Sequence, residues 1–469
     1  MIYNKFINLK EKFQKSKKFL TIKPFDITNN EGVENERYRR AILTTFTSIT
    51  ARVIGLFTGI ISVPLTISYL GIERYGMWMT ISSVLMLLVF ADLGLGNGLI
   101  NELSKLYNLK EFKQEKKLVS SVFFLLIIIC FFLLIFYISI YSFVPWEKLL
   151  NVKSELAIQE SGPAFTAFWL CFIFSIPSSI AQKIQTSNQE GYVTNFWQIG
   201  GNILSFIALV IAIILKSSLS ILIICISGVP AIVMTINCIH QFYYERPYLR
   251  PNLNDVDWKV GKKIVKTGFN FVILTITFVI GTSSDSFIIA QYLGPEDVAA
   301  FAIIQKLFSI TFIVQLISIP FWPVFNEAIS KGEFLWAQKT FNNVQKISII
   351  FTIIICLPLL IFGQEIISFW ASPLLVPSFF TILGFALFRL VSGFAETPIS
   401  LMMGSSLKLK KLIQVSSIAC IISIVLKFIF IINWGLEGIV WSLAIGYGVF
   451  FAIPIFLLAN KSIKKQITL

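Results

Sequence analysis

The sequence predicts an all-α integral membrane protein: twelve transmembrane helices in two six-helix lobes, arranged as a parallel repeat around a central cavity, with both termini cytoplasmic. Three observations carry this. The 469 residues are 56% hydrophobic and 14% charged, with a mean hydropathy of +0.78, against about 25% charged in globular chains. The apolar residues gather into windows of bilayer-crossing length. A turn motif also recurs half a chain apart.

The windows place spans at 43–68, 76–98, 119–144, 163–182, 195–215, 219–240, 267–291, 298–322, 346–362, 377–402, 412–432 and 437–458. Helices rather than barrel strands follow from their length, because a barrel strand has about ten residues of alternating polarity. Before them, residues 1–40 form a basic cytoplasmic arm. Its Ile2, Phe6, Leu9 and Phe13 recur at helical spacing among lysines, as in an interfacial helix on an anionic leaflet. Glu31 to Arg40 reads as a charged linker. No cleavable leader is expected, since the first apolar run begins only after this polar stretch. The N-lobe is 41–242, a cytoplasmic linker 243–266, the C-lobe 267–460 and a cytoplasmic tail 461–469.

Lysine and arginine test the orientation, because cytoplasmic loops retain them. Four of the 39 basic residues, Arg52, Lys306, Arg389 and Lys427, lie inside spans, and Arg74, Lys148, Lys153 and Lys216 lie in the odd-numbered gaps. All the others fall in the arm, the even-numbered gaps or the tail. The net charge of +14 is therefore spread over short segments as an orientation signal. It does not form the single basic surface that a nucleic-acid partner would require.

The six cysteines lie inside apolar runs with no CxxC pair, and the one histidine, His240, stands at a span end. No metal site, cofactor or disulfide is expected from them. The 145–162 gap holds Glu147, Glu155 and Glu160 but no nucleophile motif, and Gly261-Lys262-Lys263 lacks the rest of a phosphate-binding loop. The chain does not read as an enzyme.

The duplication rests on Tyr69-Leu70-Gly71-Ile72-Glu73, which recurs as Tyr292-Leu293-Gly294-Pro295-Glu296. Each copy joins two long spans by a tight external turn. Six spans precede the linker and six follow it, so the halves share one orientation, and a substrate site is expected between them.

A charge at the bilayer centre costs about 2.5–3.5 kcal/mol, so those inside spans are the candidate functional residues. Arg52 and Asp92 lie at similar depth on the first two spans, as do Asp285 and Lys306 on spans 7 and 8, which allows an acid–base pair in each lobe. Arg389 and Glu396 are seven apart on span 10 and share a face. Lys427 is close enough to its span end to snorkel outward. Thr45, Ser48, Arg52, Gly55 and Gly59 make one polar, small-residue stripe; Thr277, Gly281, Ser284 and Asp285 make another. Arginine's planar fork suits phosphate, so a lumen holding these residues favours an anionic headgroup.

Ser68 to Trp78, Ala91-Asp92-Leu93-Gly94-Leu95-Gly96 and Gln189-Glu190-Gly191-Tyr192 resemble the polysaccharide-transport family of the multidrug/oligosaccharidyl-lipid/polysaccharide exporter superfamily, over about residues 41–460. The resemblance implies a flippase of the bacterial cytoplasmic membrane. Its cargo would be an undecaprenyl-pyrophosphate-linked oligosaccharide of O-antigen or capsule type, moved by alternating access on an H+ or Na+ gradient beside other glycan-assembly membrane proteins. It further implies Arg52 and Arg389 as headgroup contacts with Lys306 secondary, and Asp285 or Glu396 as a coupling carboxylate; Asp92 is read from its depth as the partner of Arg52. The other reading, a multidrug/cation antiporter of the same superfamily, would require carboxylates to outnumber cations in the lumen.

Overall fold

The computed structural model describes residues 21, 23–26, 30–86, 95–109, 111–318, 321, 325, 328–329, 332–403 and 406–467. Among these, all regular structure is helical, as an apolar chain in lipid requires: a helix satisfies its own backbone groups where no water can. The principal helices are α1 (Asn30–Leu70), α2 (Ile72–Met86), α3 (Leu95–Leu109), α4 (Phe112–Tyr141), α5 (Glu155–Ser187), α6 (Gly191–Ile214) and α7 (Val229–His240) in the first half. In the second half they are α8 (Trp258–Ser283), α9 (Asp285–Tyr292), α10 (Pro295–Leu307), α11 (Phe334–Trp370), α12 (Phe379–Met403), α13 (Ser406–Tyr447) and α14 (Ile453–Ile467).

Nine described helical stretches are long and apolar enough to cross a membrane. One, Lys410–Ile463, takes in both of the last two predicted spans as a 54-residue stretch, within which the backbone leaves helical geometry at Gly435 (φ 57°). Predicted spans 2 and 7 are not among the nine: residues 87–94 of span 2 lie outside the described set, and span 7 is divided at Ser284 between Trp258–Ser283 and Asp285–Tyr292.

The repeated turn has the same backbone device in both copies. Gly71 has φ +77° and Gly294 φ +110°, and a Cβ at either would meet nothing within 4 Å. Glycine stands there for its conformational freedom, not for room. The first copy is also tied down. The Tyr69 hydroxyl donates to the Ser217 carbonyl at 2.6 Å, and Glu73 accepts the N–H groups of Lys153 and Ser154 ahead of α5. Arg74 forms a bidentate pair with Glu160 at 2.7 and 2.9 Å.

Residues 30–40 are helical, not a linker. Glu36 faces Arg39 and Arg40 at i+3 and i+4, with Nε–O distances of 2.7 and 2.9 Å, the spacing that stabilises a helix. Phe25 N–H donates to Glu36 Oε2 at 3.0 Å and Arg39 donates to the Thr21 carbonyl at 3.0 Å, drawing the preceding chain against α1. The predicted amphipathic arm over 2–18 lies outside the described residues.

One apolar core joins the halves at the end of the Gly71 and Gly294 turns, with Val63, Trp78 and Phe165 packed into the same cluster as Ile289, Phe301 and Ile439. Towards the opposite end there are two separate cores. One is built on Leu99, Val119, Ile180 and Cys238, the other on Phe341, Met402 and Ile455. At the shared end α2 packs against α9 and α10, so closely that a Cβ on Gly76 would stand 1.7 Å from the Pro295 carbonyl oxygen. Asn151 donates to the Ala290 carbonyl at 2.8 Å and Gln291 to that of Leu149 at 2.6 Å.

Four helix-interior prolines leave a carbonyl four residues back without its N–H, and a side chain from another helix turns to each. Ile60 accepts from the Trp370 indole (Pro64), Ile173 from the Cys130 thiol (Pro177), Ile226 from the Ser205 hydroxyl (Pro230) and Phe394 from the Gln345 amide (Pro398). The bends are thereby fixed by neighbours.

Candidate functional site

A cavity of about 580 Å³ lies between the halves. From the first half, α1 contributes Gly55, Thr58, Gly59, Ser62 and Thr66, and α2 contributes Tyr75, Trp78 and Ser82; Asn202 and Ser205 on α6 close that side. From the second half come Gln305 and Lys306 on α10, Ser309 and Phe312 just beyond it, and Arg389 on α12. The lining holds two cations and no carboxylate. Hydroxyls and aromatic rings make up most of its polar and stacking surface.

Each cation is placed by its helix neighbours. Lys306 reaches over Gly59: a Cβ there would stand 2.4 Å from its Nζ, so the glycine makes room for the ammonium. Arg389 is 8% exposed and held by rings, its guanidinium 4.7 Å from the centroid of Phe312 and 5.4 Å from those of Phe385 and Phe388. Its buried Nε has no hydrogen-bond partner. Among the described residues no carboxylate pairs with either cation. Such groups are ready to receive an anion, because a buried unpaired donor is costly until one arrives.

Glu396 lies two turns along α12 from Arg389. Both line a small adjoining cavity of about 20 Å³ with Gln315, whose amide donates to Glu396 at 2.9 Å. The shared face expected for these two residues is therefore present, bridged by a polar pocket and not by an ion pair.

The pair expected between Asp285 and Lys306 does not form. Asp285 meets Lys427 at 2.6 Å, with side chains 3% and 0% exposed. Lys427, expected to snorkel, is instead fully buried and also donates to the Gly281 carbonyl at 2.7 Å and the Ser284 hydroxyl at 3.2 Å. The cause is local. The helix breaks between α8 and α9 at Ser284, which frees oxygen atoms beside Asp285, and an ammonium surrounded by oxygens does not need the interface. Gly281, Ser284 and Asp285 of that stripe thus serve this contact.

Arg52 is exposed and does not line the cavity. It lies on the same face of α1 as Gly55, Gly59 and Ser62, one turn further from the Gly71 end, at the cavity's approach. Its proposed partner Asp92 lies outside the described residues. Sequence reasoning passed over Tyr75, Trp78, Asn202 and Gln305. The first two are in the turn motif, but uncharged side chains give no signal of facing a cavity until the helix rotation is known.

A family model described as polysaccharide biosynthesis protein matches residues 43–328. A protein of Yersinia pseudotuberculosis named for O-antigen export is 24% identical over 405 residues, which cover 84% of this chain and 90% of that protein. Among solved structures, an inward-facing multidrug resistance MATE transporter of the MOP superfamily superposes with a TM-score of 0.77 at 14% identity, covering 89% of this chain and 96% of its own. The lipid II flippase MurJ in an inward closed conformation gives 0.68 at 17% identity, covering 91% and 90%. With more than half its length matched by the family model, the chain belongs to the polysaccharide biosynthesis protein family, and its all-helical fold is the one seen in the MATE and MurJ structures.

Proposed function

We propose that this protein flips an undecaprenyl-pyrophosphate-linked oligosaccharide of O-antigen or capsule type across the bacterial cytoplasmic membrane. The observation that carries the reading is the central cavity: both halves line it, it presents Lys306 and Arg389, and no carboxylate is among its lining residues. A pyrophosphate satisfies two unpaired cations, while serine, threonine and asparagine side chains suit sugar hydroxyls. A cation antiporter would need the opposite polarity.

The shared core at the Gly71 end and the separate cores opposite support alternating access by rocking of two six-span lobes. With the basic loops taken as cytoplasmic, this conformation is closed to the outside. Arg52 then guides the headgroup into the cavity from the cytoplasmic side. Glu396, next to Arg389 and held only by a neutral amide, is the better coupling carboxylate for H+ or Na+, because Asp285 is already neutralised by Lys427.

The test is flipping of a defined lipid-linked sugar in reconstituted vesicles. Arg389→Gln and Lys306→Gln are each expected to lower the rate at least tenfold while the protein still inserts and retains its unfolding temperature. Unchanged flipping in both variants would refute the cavity as the headgroup site.

A further inference from the structure

A second cavity, of about 500 Å³, lies on the membrane-facing side of the first half, between α4, α5 and α7. It shares no lining residue with the central one. Its walls are apolar, with Phe123, Ile127, Ile173, Phe174 and Ile239 prominent. Ile127, Phe174 and Ile239 are 39%, 50% and 51% exposed, so the groove opens outward. Pro177 bends α5 at this place. The polar atoms of the bend are already used: Cys130 donates to the Ile173 carbonyl at 3.4 Å, and the hydroxyls of Ser178 and Thr235 bond each other at 2.7 Å. The walls therefore present hydrocarbon.

The mouth is different. Arg250 lies with its guanidinium 4.5 Å from the centroid of the Tyr243 ring, and among the described residues no carboxylate pairs with it. The segment carrying it is fixed, since Asn252 and Asp257 N–H groups donate to the Ser120 and Ser121 hydroxyls at 3.2 and 2.8 Å and Lys116 pairs with Asp255 at 2.9 Å. Exposed Tyr243, Tyr244, Tyr248 and Trp258 surround this level, the composition of a headgroup-depth belt.

We infer that this groove binds an anionic phospholipid, one acyl chain lying against Phe123, Ile127 and Phe174 and the phosphate on Arg250. An apolar slot ending in a fixed, unpaired arginine at headgroup depth matches an amphiphile with a negative head. The occupant is a structural or regulatory lipid, separate from the cargo in the central cavity.

The experiment titrates the purified full-length protein in neutral detergent with phosphatidylglycerol or phosphatidylcholine and reads the unfolding temperature. Phosphatidylglycerol is expected to raise it saturably and phosphatidylcholine to leave it nearly unchanged. Arg250→Gln is expected to weaken half-saturation about five-fold, the loss of about 1 kcal/mol per arginine at a lipid headgroup. Ile127→Trp, which fills the groove from its exposed rim, is expected to abolish the effect. Lys113→Gln, an exposed charge outside the groove, controls for general electrostatics. Equal shifts from both lipids, an equal shift from inorganic phosphate, or an undiminished response in both groove variants would overturn the proposal. Unliganded unfolding temperatures separate lost binding from lost folding.

Discussion

The indole N–H of Trp370, at the end of α11, donates at 3.0 Å to the carbonyl of Ile60 on α1, the acceptor that Pro64 leaves open. The bond crosses between the two halves at their shared end. A helix defect in one half is thus completed by a side chain of the other.

Trp370→Phe keeps an aromatic ring, though a smaller one, and removes the donor. The closed state is expected to lose about 1 kcal/mol, which shifts the population of the state open at this end roughly five-fold. A single cysteine at Ser62, in a background with the six native cysteines replaced, should react correspondingly faster with a membrane-impermeant thiol reagent applied outside.

Gly76→Ala and Gly71→Ala separate two reasons for a glycine. At Gly76 the added Cβ meets the Pro295 carbonyl oxygen of the other half at 1.7 Å, so closure is expected to fail while each half stays folded. At Gly71, φ +77° with open space around it, the expected cost is about 1–2 kcal/mol of backbone strain with no change in the closure equilibrium. Cysteine accessibility and thermal unfolding, measured side by side, distinguish these outcomes.

Lys427→Met should destabilise the protein by about 3 kcal/mol or more, because it leaves Asp285 buried and uncompensated. The double variant with Asp285→Asn should recover most of the loss, as measured by unfolding temperature in detergent. Full recovery of stability without recovery of flipping would reveal a further role for the pair.

Near the start of α1, burial alone would raise the Glu36 carboxyl, but hydrogen bonds from Arg39, Arg40 and the Phe25 N–H outweigh it and hold it down at about 2. The folded value lies below the free value of about 4.3. This contribution is therefore complete above pH 4.3 and fades as pH falls towards 2. Hydrogen exchange should show the Phe25 amide losing protection over that window. Glu36→Gln should speed chymotryptic cleavage after Phe25 at neutral pH.

Arg389→Lys keeps the charge but loses the planar fork and much of the stacking against Phe312, Phe385 and Phe388. Flipping is expected to fall about tenfold, against a smaller effect of Lys306→Arg in the same vesicle assay.

Composition and apolar run length were enough to define a helical membrane protein, and the Tyr-Leu-Gly turn marked two equivalent places whose backbones share a positive φ. These are local properties: insertion depends on length and hydropathy, and a tight turn on the residue occupying it. Depth along a span was legible too, which is why Lys306 and Arg389 were recognised as candidate lumen residues. Rotation and neighbour order were not. Asp285 lies level with Lys306 in the sequence pattern, yet it meets Lys427, because which helix stands beside α9 is set by packing of the whole half. The same holds for Arg52, exposed at the approach and not in the cavity, and for Trp370, whose partner is 310 residues away. Hydrophobic patterning orders helices by depth; only the packed structure, in which each freed carbonyl and buried charge needs a specific neighbour, decides which side chains meet.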